Sequence, residues 1–108
     1  MADDVPFALD RVEFVLLKRA PTWRALPDEE AEALQRAHLD HLGEMRRAGH
    51  MKIAGPLDEQ PDETLRGVCL YTTGSLERTR ELAESDPAVR AGQLCVDVMY
   101  WYFPKGEL

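Results

Sequence analysis

The feature that most limits what this chain can fold into is that its strand-like runs are apolar on both sides. In Gln93–Phe103, Leu94, Val96 and Val98 alternate to one side, and Cys95, Met99 and Trp101 to the other. In Val12–Arg19, Phe14 and Leu16 oppose Val15 and Leu17. Side chains alternate across a strand, so a sheet made of such runs needs cover on both faces. Only two stretches of helical periodicity lie between the strands, enough to cover one face of a four-stranded sheet. The other face predicts a homodimer joined through the sheet.

The order of elements follows from local signals. A loose lead-in over residues 1–10 precedes the first strand, and Ala20–Pro27, with two prolines, reads as a loop. Pro27 suits the first turn of a helix, and Asp28, Glu29 and Glu30 complement its dipole. That helix runs to about Ala48, Gly49 is its left-handed stop, and His50–Ala54 is a short strand ended by Gly55-Pro56. After an acidic loop, Leu57–Thr64, the run Leu65–Thr73 is a third strand. Ser75 caps a second helix through about Glu84. Asp86 as N-cap and Pro87 at the first helical position predict a short helical turn through Ala91, closed by Gly92, before the last strand.

The result is an α+β chain, β-α-β-β-α-β with a short extra helix before the last strand. This is the ferredoxin-like, split-βαβ arrangement. At 108 residues it reads as a single domain over 1–108.

The first helix breaks its own pattern. At 100° per residue, Ala31, Leu34, Ala37, Leu42, Met45 and Ala48 share one face, and His38 and His41 fall inside it, while Asp40, Glu44 and Arg47 point away. An imidazole on an apolar stripe costs desolvation unless a partner satisfies it. Alone, His38 reads as a satisfied core residue, and Asp86 as a plain helix cap. Should His38 and Asp86 meet, the carboxylate would fix the ring tautomer and leave the other nitrogen free as a general base or acid. His41 reads as a pocket or backbone-bonded residue. A metal held by His38, His41 and Glu44 is disfavoured because Glu44 points off the shared face, so no metal site is assigned. His50 reads as an exposed strand-start residue. Gly55 and Pro56 are mainly a strand-ending turn, but glycine admits close backbone approach near a cavity. Trp101, with Tyr100 and Tyr102, would form either an aromatic wall for a planar ligand or part of a dimer core.

Charge and composition narrow the partners. A formal net charge of −7 argues against nucleic acid, which needs clustered Lys and Arg. The acidic N-terminus and the absence of a long apolar stretch predict a cytoplasmic, non-membrane protein. Cys69 and Cys95, both in strand-like runs and without Cys-x-x-Cys spacing, read as reduced and buried.

Taken together, His38-Leu39 in the first helix, Ala54-Gly55-Pro56-Leu57, and Ser85-Asp86-Pro87-Ala88-Val89-Arg90-Ala91-Gly92 before a strand with Trp101-Tyr102 resemble the YCII-related (YciI-like) family. The resemblance spans nearly the whole chain. It implies a dimeric α/β barrel of ferredoxin-like subunits and an active site whose His and Asp correspond to His38 and Asp86. Some relatives are associated with dehydrochlorination of chlorinated hydroxyquinones, and the wider superfamily includes muconolactone isomerases and metal-free monooxygenases. The expected function is therefore a small cofactor-independent lyase or isomerase moving a proton on a cyclic or conjugated substrate. The alternative is a non-catalytic dimeric module that binds a small metabolite or a partner protein.

Overall fold

The computed structural model describes residues 8–108. Its elements are β1 (Leu9–Arg19), α1 (Asp28–Arg47), β2 (Met51–Pro56), β3 (Leu65–Tyr71), α2 (Leu76–Glu84), α3 (Pro87–Arg90) and β4 (Leu94–Pro104). The four strands form one sheet in the order β2-β3-β1-β4, with every neighbouring pair antiparallel. This is the ferredoxin-like α+β arrangement.

Local chemistry fixes the breaks between elements. Ser75 accepts the Arg78 N–H at 3.1 Å at the start of α2, and Asp86 accepts the Ala88 N–H at 2.9 Å at the start of α3. Gly49 and Gly92 adopt φ of 81° and 76°, left-handed values that a Cβ would oppose.

Several boundaries differ from the sequence expectation, among them the end of β3 at Tyr71 rather than Thr73. Residues 1–7 of the predicted lead-in lie outside the described residues, but Leu9 and Asp10 belong to β1, paired with Pro104 and Phe103. The cause is cross-strand pairing: β4 continues to Pro104 and supplies partners for backbone that looks irregular in isolation. Likewise, Gly55 and Pro56 lie within β2, opposite Val68 and Gly67.

Val15, Leu17, Met51, Cys69, Tyr71, Ala83 and Val96 form the core between the sheet and the helices. Each large apolar side chain there contributes about 1.5–3 kcal/mol by leaving water. The face away from the helices is also apolar. Phe14, Leu16 and Val68 are half-buried on it, whereas Trp101 is 48% and Ile53 57% exposed. Trp101 packs edge-on against Phe14 and Phe103, with ring centroids 6.0 and 5.7 Å apart. Among the described residues no helix is long and apolar enough to cross a membrane.

Candidate functional site

The site is built from α1 and the Asp86 cap of α3. The helix α1 packs against β2 and α3, and Asp86, 1% exposed, is positioned by capping α3. Its carboxylate oxygens have separate tasks. Oδ1 accepts the Ala88 N–H at 2.9 Å, and Oδ2 lies 2.5 Å from His38 Nδ1. A carboxylate only accepts, so Nδ1 carries the hydrogen. The other ring nitrogen, Nε2, has no hydrogen-bond partner among the described residues. The His38 side chain is 12% exposed and lines a cavity of about 630 Å3.

The cavity lies between the helix-side face of the sheet, α1, α3 and the β1–α1 loop. Leu34, Leu39 and Leu42 of α1, Leu17 of β1, Ala54, Gly55 and Pro56 of β2, Gly67 of β3 and Ala88 of α3 line it. Trp23, Arg24, Ala25 and Leu26 supply the loop wall. That loop is pinned rather than free. Buried Gln93 accepts the Arg24 N–H at 3.1 Å and donates to the Arg24 carbonyl at 2.7 Å, while the Thr22 hydroxyl donates to the Gly92 carbonyl at 2.5 Å. A side-chain amide that meets both backbone groups of one residue acts as an added strand partner and holds the wall in place.

Of the residues singled out from sequence, His38, Gly55 and Pro56 line the cavity, with Asp86 behind His38. His41 lies deeper. Its Nε2 is buried without a hydrogen-bond partner, and burial pulls its pKa below the usual histidine value, against the opposing influence of Asp86. Trp101 does not line the cavity; it sits on the opposite face of the sheet, because odd-numbered side chains of β4 alternate away from the helices. His50 is half-buried just before β2 rather than exposed. Cys69 is buried as expected, and burial pushes its thiol pKa up to about 12. Cys95 is only half-buried. The described residues contain no cluster of three or more His, Cys, Asp or Glu arranged to hold a metal.

Several features escaped the sequence reading. Glu13 is only 2% exposed and gathers the Thr73 N–H (2.7 Å), the Gly74 N–H (3.2 Å) and the Thr79 hydroxyl (3.0 Å) on one oxygen. It ties β1 to the start of α2. Its position, alternating in phase with Val15 and Leu17, was the available signal. Gly67 is a second: a Cβ there would meet the Gly55 carbonyl oxygen at 2.9 Å, so the close approach of β2 to β3 at the cavity wall depends on Gly67. The same construction at Gly55 meets nothing within 4 Å.

The split-βαβ order and the antiparallel β2-β3-β1-β4 sheet make this a ferredoxin-like α+β protein, compatible with the dimeric α/β barrel fold, with a His–carboxylate pair at the wall of its cavity. The chain belongs to the YCII-related family, whose domain matches residues 12–102. Its structure is similar to that of 5-chloro-2-hydroxyhydroquinone dehydrochlorinase from Burkholderia phenoliruptrix AC1100, solved in complex with 2,5-dihydroxybenzoquinone. The likeness has a TM-score of 0.56 and 18% sequence identity, and covers 82% of this chain and 92% of that one. At that identity it speaks to the fold. No curated protein matches the chain in sequence.

Proposed function

We propose that this protein is a small-molecule enzyme of lyase or isomerase type in which His38, oriented by Asp86, moves a proton on a cyclic or conjugated substrate. The observation that carries the reading is the 2.5 Å approach of Asp86 Oδ2 to His38 Nδ1 at the wall of the cavity. With Nδ1–H committed to Asp86, Nε2 is the nitrogen left to take a proton from substrate. The resulting imidazolium is stabilised by the carboxylate behind it, and the proton returns to another substrate atom or departs with a leaving group. The proposed proton transfer itself needs only the imidazole and the carboxylate.

The working form is a homodimer closed through the apolar sheet face that carries Ile53, Met99 and Trp101. An exposed contiguous apolar face of this kind is a common mark of association. Sedimentation of the native protein and of Trp101→Lys tests it: a monomeric native protein at micromolar concentration would remove the dimer from the proposal.

The catalytic reading is tested by 15N NMR of the His38 ring together with activity, beginning with 5-chloro-2-hydroxyhydroquinone as trial substrate and extending to other hydroxylated rings and unsaturated lactones. The expected result is an Nδ1–H tautomer that becomes mixed in Asp86→Asn, and turnover reduced about 100-fold or more in His38→Ala. Undiminished turnover in His38→Ala would overturn it.

A further inference from the structure

The charge around the cavity runs against that of the chain. Asp and Glu together number 20 against 13 Lys and Arg, yet among the described residues no acidic side chain lines the cavity. Its formally charged residues are Arg24 and Arg66, and neither is ion-paired with another described residue.

Both arginines occupy defined positions. Arg24 lies where Gln93 clamps the backbone of the β1–α1 loop. Arg66 lies at an irregularity in β3: Leu17 pairs with Gly67 and Lys18 with Leu65, so Arg66 has no residue opposite it on β1. Strict alternation would group Arg66 with Val68 and Leu70, away from the helices. A bulge inserts an extra residue, bends the strand and re-aims the side chain. Arg66 is accordingly part of the cavity wall on the helix side, beside Gly67 and Pro56. Trp23 also lines the cavity, with the Arg19 guanidinium carbon 4.2 Å from its ring centroid.

We infer that the cavity selects a small planar carboxylate, whose anionic group is bound by Arg24 and Arg66 while its ring or conjugated system lies along Trp23 and the Gly55-Pro56 edge. Guanidinium groups recognise carboxylates through paired, charge-assisted hydrogen bonds. Among the described residues the wall has no acidic side chain to oppose that attraction. Binding the carboxylate at the loop and bulge would orient the remainder of the molecule for His38. The inference rests on the proposed function for what happens after binding, but binding itself requires no turnover.

The test uses benzoate and its neutral isostere benzamide as probes, titrated against the full protein while the Trp23 indole and His38 ring resonances are followed by NMR. Benzoate is expected to shift both resonances saturably and to bind at least about tenfold more tightly than benzamide. Arg24→Gln and Arg66→Gln should each weaken benzoate about tenfold and leave benzamide unchanged. Equal affinity for the two probes, no saturable benzoate shift, or benzoate affinity unaltered in both variants would overturn the inference. His38→Asn separates the two proposals: retained benzoate selectivity upholds anion binding whatever its turnover, whereas selectivity lost with the imidazole would show that His38, and not the arginines, reads the charge.

Discussion

His38 and Asp86, 48 residues apart in sequence, meet through a carboxylate that also begins a helix: one oxygen of Asp86 holds the ring and the other holds the Ala88 N–H. The cap and the candidate catalytic pair are one side chain, so substitutions that preserve the cap can separate the two roles. Asn is nearly as good an N-cap as Asp, whereas Ala is not. Asp86→Asn is expected to unfold in urea within about 1 kcal/mol of the native protein while losing the fixed His38 tautomer. Asp86→Ala should cost about 2–4 kcal/mol, combining the lost cap with an unpaired, nearly buried imidazole. Equal destabilisation by both variants would mean that the cap contributes little.

Acid should weaken the fold through His41. Burial lowers its pKa in the folded state, while Asp86 raises it and His38 lowers it further. In the unfolded chain the ring titrates near the ordinary value of 6.5. Below that pH the unfolded state binds a proton that the folded state refuses, so stability falls as pH drops below 6.5 and levels off once the folded ring also protonates. Denaturation midpoints measured from pH 7.5 to 5 should decline, and the part of the slope due to His41 should vanish in His41→Leu. An unchanged slope in that variant would assign the pH dependence elsewhere.

Glu13 is expected to matter for stability more than for chemistry. Replacing it by Gln removes the charge that strengthens its hydrogen bonds and turns one acceptor into a donor, at a cost of about 1.5–3 kcal/mol. Hydrogen exchange should quicken first at the amides of Thr73 and Gly74, which donate to it.

The two glycines of the cavity wall should respond in opposite ways. Gly67→Ala places a methyl against the Gly55 carbonyl, a backbone group that cannot swing aside, and should cost about 1–3 kcal/mol while disturbing the β2–β3 pairing. Gly55→Ala meets open space and should change the melting temperature little. Comparable losses in both variants would contradict the geometry.

The thiols should react separately. Cys95, half-buried, is expected to be modified by a disulfide reagent in the native protein, and Cys69, with its pKa pushed up to about 12, only after denaturation. Rapid native modification at Cys69 would indicate that the core opens readily.

What the sequence makes legible here is mostly local. The Ser75 and Asp86 caps, Pro87, and the left-handed Gly49 and Gly92 mark element ends because their chemistry acts over a few residues. The histidines on α1 stand out because they interrupt a period. Gln93, Arg66 and the true start of β1 are not legible in this way, because each acquires its role from residues distant in sequence: Arg24 for Gln93, the Leu17/Lys18 register step for Arg66, and Pro104 for Leu9. Trp101 is ambiguous for a related reason. The alternation of β4 separates it from Leu94, Val96 and Val98, but which of the two apolar sides faces the helices is decided by packing with residues distant in sequence.

The full pairing of β1 with β4 bears on how the molecule comes into being. Every residue from Leu9 to Arg19 is matched with one from Leu94 to Pro104, so β1 acquires its second neighbour only when segments from opposite ends of the described chain find each other. Closing such a long loop must precede the reward, and folds dominated by distant pairings form on the order of milliseconds to seconds, slower than helical bundles. The clamp on Arg24 belongs to Gln93, immediately before β4. The cavity's loop wall is therefore completed only with that closure, and a chain halted before it has α1 and its histidine without the finished binding chamber.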